Sequence, residues 1–361
     1  MAINFLYIDD EPEKAKGFVK LLNDGETLTF HVAQPQSWDA TKKDLVERQG
    51  LNEYDGLLLD LKLEFSDGTE IDVKFNGSDL AQTIRTDVKA KKINDLPIFL
   101  CSTDKNYMSF FDRTSIDLFD RKYKKETDFS SAEIKNEFIA FSNAYKALRG
   151  PMGVEEVLKR NVAQNDELVA VALELEKCKT PHEVVYLVNQ FVIHANGVLL
   201  DEKLLSIRLG IDLEKSEGWG QLKTEILNAF KYEGILGDYY QRWWQDDILN
   251  WWKQMAGTSL KVLSADERVN FLRQHTGITQ ILPIQMPSSH TFDTFWYACR
   301  LSGLPLEASD GLRTIEMPRY AWQEPNYISL SYIQSEDRDR KAIVELLGAN
   351  ELKLFYDLEK Q

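Results

Sequence analysis

The 361-residue sequence predicts a doubly wound α/β domain followed by a mainly α-helical region. Across residues 1–128, five short apolar segments alternate with amphipathic segments of helical period. The apolar segments show little polar alternation, which is typical of parallel strands covered on both faces. The domain's end is marked by Arg149–Gly153, where two glycines and a proline follow a predicted helix. We therefore predict an α/β domain over 1–128, a helical connector over 129–152 and a mainly helical effector or interaction domain over 153–361, which could divide near 256–276.

The predicted elements follow in order along the chain. Pro12 suits the first turn of a helix, and Ser37 and Ser78 are candidate N-caps. The first domain's predicted strands are INFLYI (3–8), LTFHVA (28–33), DGLLLDL (55–61), PIFLCS (97–102) and SIDLFD (115–120). Its predicted helices are Glu11–Leu22, a segment near Ser37–Arg48, 78–91, 104–113 and Ser131–Leu148. Beyond these we predict helices at 153–162, 164–178, 181–195, 200–209, 219–232, 236–255, 264–274 and 336–359, and a strand at 327–333.

Composition narrows the class of protein. An apolar fraction of 43% and a charged fraction of 28% are those of a globular chain. The net charge of −15 disfavours nucleic-acid binding, which depends on clustered lysine and arginine. Three widely spaced cysteines argue for a reducing compartment, and no apolar run reaches the roughly 20 residues that a membrane span needs. Because the amino terminus resembles a buried strand and not a signal peptide, we expect a cytoplasmic protein without a membrane partner.

Polar side chains gather where the predicted strands end. The first strand runs into Asp9 and Asp10, the third ends at Asp60, the fourth at Ser102, and the fifth runs into Lys122. In an open parallel sheet such positions share the edge that binds ligands. Carboxylates this close repel unless a hard cation such as Mg²⁺ lies between them. A carboxylate beside that ion can attack a phosphoryl donor, while a lysine and a hydroxyl stabilise the transferring group.

The order of these segments resembles the receiver domain of bacterial response regulators, whose flavodoxin-like fold has five parallel strands in the order 2-1-3-4-5. The resemblance covers residues 1 to about 128 and is carried by YIDDEPEKAKGFVKLL, YDGLLLDLKL, LPIFLCST and SIDLFDRK. It implies the following roles: Asp9 and Asp10 as Mg²⁺ ligands, Asp60 as ligand and phosphoacceptor, the Lys62 backbone carbonyl as a further ligand, Ser102 as the hydroxyl, Lys122 as the lysine, and Phe119 with Ser102 as switch residues.

The sequence also departs from the family pattern. A longer, proline-free stretch follows the phosphoacceptor loop, and its glycine match is Gly77 in preference to Gly68. Tyr123 replaces the proline that usually follows the lysine. Arg121 or Lys124 could exchange with Lys122 through a small shift in the alignment. These features predict a divergent receiver with its acceptor set intact.

The resulting hypothesis is a response-regulator-like signalling protein that is phosphorylated on Asp60 with Mg²⁺. A histidine kinase or phosphotransfer protein would be the donor, and the output would be the chain's own helical domain or a downstream protein, with a homodimer left open. A looser resemblance suggests a bacterial stress or phage-defence system. Beyond receiver self-phosphorylation we expect no enzyme, although activity in the helical domain is left open.

Two alternatives remain at this stage. One is a receiver-like scaffold for protein–protein interaction that is not phosphorylated. The other is a DNA-binding transcriptional regulator that uses residues 201–230 as a helix-turn-helix, which their six acidic and four basic side chains disfavour.

The segment YYQRWWQDDILNWWKQM (239–255) holds four of the eight tryptophans. At helical period Trp244 and Trp251 share one stripe, which Trp252 widens. Such a stripe suits either a core helix or a face that docks a protein partner, because aromatic side chains dominate interface hot spots. The sequence leaves both interpretations open.

Overall fold

The chain forms two compact units in a computed structural model, which describes residues 2–47, 50–66, 72–150, 153–163, 165–285 and 292–360. The first unit comprises Met1–Arg160, Ala172–Asn189 and Gly234–Tyr239. The second comprises Asn161–Val171, Gln190–Glu233 and Tyr240–Gln361. The first unit therefore includes two segments from beyond the predicted α/β domain. The boundaries at 128 and 152, as limits of independently folding domains, stay a prediction.

The first unit is built on a five-stranded, all-parallel sheet. Its strands are β1 (Ile3–Ile8), β2 (Leu28–Ala33), β3 (Gly56–Asp60), β4 (Ile98–Ser102) and β5 (Arg121–Lys124). The spatial order is β2-β1-β3-β4-β5. This is the order of flavodoxin and of CheY, so the predicted fold class is confirmed for this unit.

Apolar side chains cover both faces of this sheet. On one face, Leu57, Leu59 and Leu100 join Leu80 and Ile84 in a buried cluster. On the other, rings of β1, β2 and β4 pack edge-on against Phe138. Because strands buried on both faces need no polar alternation, β1, β3 and β4 are readable as near-continuous apolar runs, whereas β2 at the sheet edge exposes His31 and keeps some alternation.

The fifth predicted strand is wrong in position. Residues 115–118 lie in a 3₁₀ helix over Arg113–Leu118, Phe119 and Asp120 follow it, and the strand begins at Arg121. Asp112 caps this helix by accepting a hydrogen bond from the Thr114 backbone at 2.9 Å. The true strand lies at the sheet edge, where only Tyr123 is deeply buried and its neighbours are charged. A charged edge strand protects the sheet from pairing with other chains, and it hides the apolar signal.

Helices connect the strands of the first unit. They are α1 (Pro12–Val19), α2 (Trp38–Lys42), α3 (Gly77–Lys89), α4 (Asp104–Phe110), α5 (Ala132–Ala147), α6 (Val154–Leu158), α7 (Asp166–Leu175) and α8 (Pro181–Val188), and α7 continues into the second unit. A π-helical turn over Lys43–Glu47 extends α2, and the predicted end of that helix, Arg48, lies outside the described residues. A two-stranded antiparallel pair, Phe65–Ser66 with Asp72–Val73, precedes α3.

The second unit is largely helical, as predicted. Its helices are α9 (Glu202–Arg208), α10 (Trp219–Glu225), α11 (Gln245–Ala256), α12 (Ala265–Thr276), α13 (Leu330–Ile333), α14 (Arg340–Leu346) and α15 (Ala349–Leu358). Its short antiparallel pairs are Leu199–Leu200 with Trp243–Trp244, Tyr297–Ala298 with Pro305–Leu306, and Gly311–Arg313 with Tyr327–Ser329. Within the described residues, no helix is long and apolar enough to cross a membrane.

The tryptophan segment belongs to the core of the second unit. Trp244 is 4% exposed and Trp252 is fully buried, so neither can form an accessible docking face. Trp251 is half-buried against the same apolar cluster. The interpretation of Trp244 and Trp252 as an interaction face is therefore wrong. The alternative of a core helix holds for Trp251 and Trp252 in α11, whereas Trp244 lies in the short strand before it, so the predicted helix over 236–255 begins only at Gln245.

Candidate functional site

Three carboxylates meet at the carboxyl ends of β1 and β3. Asp9 and Asp10 follow β1 directly, and Asp60 is the last residue of β3. One carboxylate oxygen from each lies within 4.8 Å of the others. Asp9 and Asp60 are buried, and Asp10 is half-buried. The structure thus brings together the three acidic residues that the sequence singled out.

The lysine of this cluster is Lys125, not Lys122. The Lys125 ammonium lies 2.6 Å from Asp9 Oδ2 and 3.0 Å from Asp60 Oδ2. Lys122 is exposed, and its ammonium lies 4.5 Å from the centre of the Phe111 ring. Lys122 was predicted because the fifth strand was placed too early in the chain. The lysine at the carboxyl end of the observed strand lies correspondingly later, at Lys125.

The alternation of buried and exposed side chains along β5 could have identified Lys125. In the run from Arg121 to Lys125, Tyr123 is the only apolar residue, so it fixes which side of the strand is buried. Lys125 is two residues further on and shares that side, whereas Lys122 and Lys124 face solvent.

Two buried oxygen atoms of the site have no hydrogen-bond partner among the described residues. They are Asp60 Oδ1 and Ser102 Oγ. Ser102 ends β4, is fully buried, and its backbone carbonyl accepts a hydrogen bond from the Lys125 backbone at 3.0 Å. Buried polar atoms are rarely left unpaired. Two such oxygens on the neighbouring strands β3 and β4 therefore indicate a site that binds a ligand.

Burial and mutual repulsion shape the titration of these carboxylates. Burial raises the pKa of Asp60 to about 6, with Lys125 opposing this rise and Asp9 adding to it. Burial, and then the neighbouring Asp9 charge, also raise the pKa of Asp10. Burial alone would lower the pKa of Lys125, but the anionic groups around it raise the value overall. The cluster therefore carries negative charge that one ammonium does not fully offset.

Asp9 is positioned by residues that the sequence analysis did not single out. The Tyr7 hydroxyl donates to Asp9 Oδ2 at 2.6 Å, and the Glu11 backbone donates to Oδ1 at 2.9 Å. The Cys101 thiol in turn donates to the Tyr7 hydroxyl at 3.3 Å. A tyrosine two residues before Asp9 on the same side of β1 is the signal that could have revealed this contact.

Gly77 is the glycine that packs against Asp60. A Cβ atom at Gly77 would lie 2.4 Å from the Asp60 carbonyl oxygen, and the Gly77 backbone donates to the Leu61 carbonyl at 2.9 Å. Only glycine allows this approach of α3 to the end of β3. The preference for Gly77 over Gly68 agrees with this contact, and Gly68 lies outside the described residues.

The remaining predicted site residues fall in different places. The Lys62 side chain lowers the pKa of Asp10 slightly against the larger effect of burial, whereas the metal-binding role of its carbonyl stays a prediction. Phe119 is 4% exposed and lies before β5, within the core cluster and away from the carboxyl ends of the strands.

The three carboxylates fit a hard divalent cation. Their oxygens are the ligand type that Mg²⁺ prefers, and one oxygen from each carboxylate lies close enough to the others to share an ion. Asp9 retains acceptor capacity, since a carboxylate offers about four lone-pair directions and Asp9 uses three of them on Tyr7, Glu11 and Lys125.

Comparison with known proteins finds structural similarity only. No protein-family model matches the sequence, and no curated protein matches it. A CheY-like receiver domain from Methylobacillus flagellatus is 20% identical with a TM-score of 0.27, over 38% of this chain and 99% of that one. An adenylate cyclase structure from Rhodopirellula baltica is 11% identical with a TM-score of 0.27, over 40% of this chain and 93% of that one.

A third similar structure is a response regulator from Burkholderia pseudomallei with a phosphorylated aspartic acid, calcium ion and citrate. It is 16% identical with a TM-score of 0.24, over 50% of this chain and 96% of that one. The first unit has the receiver fold, and this assignment rests on its strand order, pairing and register.

Proposed function

We propose that the first unit is a phosphoacceptor domain of response-regulator type, in which Asp60 receives a phosphoryl group. This proposal rests on the different contacts of the two carboxylate oxygens of Asp60. Its Oδ2 is 3.0 Å from the Lys125 ammonium, whereas its buried Oδ1 has no hydrogen-bond partner among the described residues. An oriented carboxylate with one uncommitted oxygen is suited to act as a nucleophile.

The reaction transfers the phosphoryl group from a donor to this oxygen. A bond forms between Asp60 Oδ1 and phosphorus as the bond from phosphorus to the donor's leaving atom breaks, and the electron pair leaves with the donor. Lys125 offsets the charge on the phosphoryl oxygens, and the Ser102 hydroxyl, which has no partner among the described residues, donates a hydrogen bond to one of these oxygens. A bound Mg²⁺, held by Asp9, Asp10 and Asp60, would neutralise negative charge on the acceptor and the phosphoryl group.

The donor fitting this chemistry is a phosphohistidine protein, either a histidine kinase or a phosphotransfer protein. The output would be the chain's own second unit or a downstream protein. A role in bacterial stress response or phage defence stays a prediction, as does the homodimer.

The test is formation of an acid-stable mass increase of one phosphoryl group, or of a beryllofluoride complex, in the presence of Mg²⁺. We expect wild-type protein to respond in both assays and Asp60→Asn to respond in neither. The matched control is Asp104→Asn, because Asp104 is an exposed carboxylate two residues after Ser102 that pairs with Lys124. A wild-type response equal to that of Asp60→Asn would support the alternative of a scaffold that is not phosphorylated.

A second pair of variants tests the lysine. Lys125→Met removes the ammonium that contacts Asp60, so it should lower the phosphorylation rate by two or more orders of magnitude, as expected for loss of a charge-stabilising group. Lys122→Met should retain nearly the wild-type rate, because Lys122 is exposed and stacks on Phe111. The reverse ranking of the two variants would contradict the role assigned to Lys125.

A further inference from the structure

A second buried charge cluster lies at the opposite edge of the sheet, where β4 and β5 begin. Arg85 of α3 donates to Asp95 Oδ1 at 2.7 Å and to Asp120 Oδ2 at 3.0 Å. The side chains of Asp95 and Asp120 are 2% and 1% exposed. Tyr145 of α5 donates to Asp120 Oδ1 at 2.7 Å. Together with Asp117, these four residues form what we call the acidic notch.

The occupant of the acidic notch is α8, a helix from the region predicted as the effector domain. The His182 backbone donates to Asp95 Oδ2 at 2.8 Å. Its imidazole Nδ1 lies 2.9 Å from the Tyr145 hydroxyl, and Nε2 lies 2.8 Å from the Asp117 carbonyl oxygen. One turn further along α8, Tyr186 donates to Asp117 Oδ1 at 2.8 Å.

Counting protons indicates the charge of His182. The Tyr145 hydroxyl has one proton, and it is used on Asp120, whose carboxylate can only accept. The contact between Tyr145 and His182 therefore needs a proton on Nδ1. The Asp117 carbonyl is also an acceptor only, so Nε2 needs a proton as well. An imidazole with protons on both nitrogens is a cation.

Charge balance in the acidic notch agrees with a cationic His182. Asp95 and Asp120 bring two buried negative charges, and Arg85 brings one positive charge. Although burial raises the pKa of Asp120, the hydrogen bonds and charges of His182, Arg85 and Tyr145 lower it overall. Two buried carboxylates are stable in such a site when two cations face them.

We propose that α8 is docked in the acidic notch by His182 as an imidazolium, and that α8 is the element through which a change at Asp60 reaches the second unit. The coupling of Asp60 to the second unit through α8 rests on the proposed function. The connection from β4 to β5, residues 103–120, begins next to Ser102 at the candidate site and ends at Asp120 in the acidic notch. Asp117 lies within it and holds two side chains of α8.

This arrangement has a direct mechanical consequence. Engagement of the Ser102 hydroxyl by a phosphoryl group would shift residues 103–120, and Asp117 would move relative to His182 and Tyr186. Loss of these hydrogen bonds would loosen α8. The second unit resumes at Gln190, two residues after α8 ends, so α8 is directly continuous with the chain of that unit.

Hydrogen exchange measured by mass spectrometry on the full chain tests both the docking of α8 by His182 and the coupling of α8 to Asp60. In His182→Gln, amides of residues 182–188 should exchange roughly tenfold or more faster, since hydrogen bonds from a charged group are lost. The matched control is His275→Gln, because His275 also contacts a backbone carbonyl, that of Phe271, but is exposed on α12 away from any such cluster. Unchanged exchange of α8 in His182→Gln would overturn the docking role.

The second readout is the effect of Mg²⁺ and beryllofluoride on wild-type protein. We expect slower exchange around Asp60 and Ser102 together with faster exchange in α8, and neither change in Asp60→Asn. A response at the site without one in α8 would overturn the coupling, whereas no response at the site would count against the proposed function. Should His182→Gln not fold, Tyr186→Phe removes the hydrogen bond from the Tyr186 hydroxyl to Asp117 and should still speed exchange in α8. No increase in this variant would contradict the docking of α8 in the acidic notch.

Discussion

The two edges of the central sheet each hold buried carboxylates around one basic residue, yet they differ in how completely their hydrogen bonds are made. At the amino edge, Arg85 joins Asp95 and Asp120 through the planar guanidinium. At the carboxyl edge, Lys125 lies between Asp9 and Asp60 as a compact ammonium. Among the described residues, no side-chain atom of the amino-edge group is buried without a partner, whereas the carboxyl edge leaves Asp60 Oδ1 and Ser102 Oγ unpaired.

This difference separates a structural charge cluster from a candidate reactive one. A buried ion pair whose hydrogen bonds are all made within the chain fixes one arrangement of its elements. A cluster with unpaired acceptors stores unfavourable free energy that a cation or a phosphoryl group can release. The same residue types therefore predict opposite responses to mutation, depending on the edge.

The largest effect is expected for Arg85→Met. Removing the guanidinium leaves Asp95 and Asp120 as buried, underpaired charges, so the free energy of unfolding should fall by about 3–5 kcal/mol. Urea unfolding at neutral pH measures this change. Lys89→Met is the matched control, since Lys89 is on the same helix but exposed, and its change should stay below about 1 kcal/mol. Equal effects in the two variants would show that the amino edge is not a stabilising cluster.

Lys125→Met should destabilise the protein less, by about 2–3 kcal/mol without divalent cations, because half-buried Asp10 keeps the site partly hydrated. Saturating Mg²⁺ should restore part of this loss, as the ion replaces the missing positive charge. Mg²⁺ should not rescue Arg85→Met, because Asp95 and Asp120 are buried and each of their oxygens keeps another hydrogen-bond donor within the chain when Arg85 is removed. Thermal unfolding of both variants, with Mg²⁺ and with a chelator, measures these changes in stability. Equal rescue of the two variants by Mg²⁺ would show that the two edges do not differ in this way.

Asp60→Asn should stabilise the metal-free protein by about 1–2 kcal/mol at pH 7, whereas Asp120→Asn should destabilise it. The pKa of Asp60 rises from 3.8 to about 6 in the fold, so its contribution to stability is full below pH 3.8 and is lost as pH rises through about 6. Asp120 has a lowered pKa, so its contribution is present above pH 3.8 and is lost as pH falls further.

Unfolding curves of these two variants at several pH values check the signs. The gain from Asp60→Asn should disappear below about pH 4, where Asp60 is protonated in both states. A loss of stability in Asp60→Asn at pH 7 would show that the Lys125 contact outweighs the burial of Asp60.

The smallest effect is expected for Ser102→Ala. Because the Ser102 hydroxyl is buried and unpaired within the described residues, its removal should change the free energy of unfolding by less than about 1 kcal/mol, with a gain favoured. The same variant should nevertheless weaken the response to beryllofluoride, because the proposed function gives the Ser102 hydroxyl a hydrogen bond to the phosphoryl group. A clear loss of stability would indicate that Ser102 has a structural partner.

Much of the candidate site could be predicted from sequence, because the three central strands β1, β3 and β4 are buried on both faces. Their apolar runs mark where each strand ends, and Asp9, Asp10, Asp60 and Ser102 stand at those ends. The fifth strand lies at the sheet edge and is mostly charged, so its position and its lysine were assigned wrongly. Tyr7 was missed because a tyrosine in a buried strand looks like ordinary core.

The sequence by itself determined which residues end the buried strands, and hence the class of fold and the acidic set, because burial and chain order are local properties of a parallel sheet. Tertiary structure alone decided that Lys125 completes this set, that Trp252 is core, and that His182 enters the acidic notch. Each of these depends on contacts between residues far apart in the chain, and a pattern within one segment does not encode its distant partner.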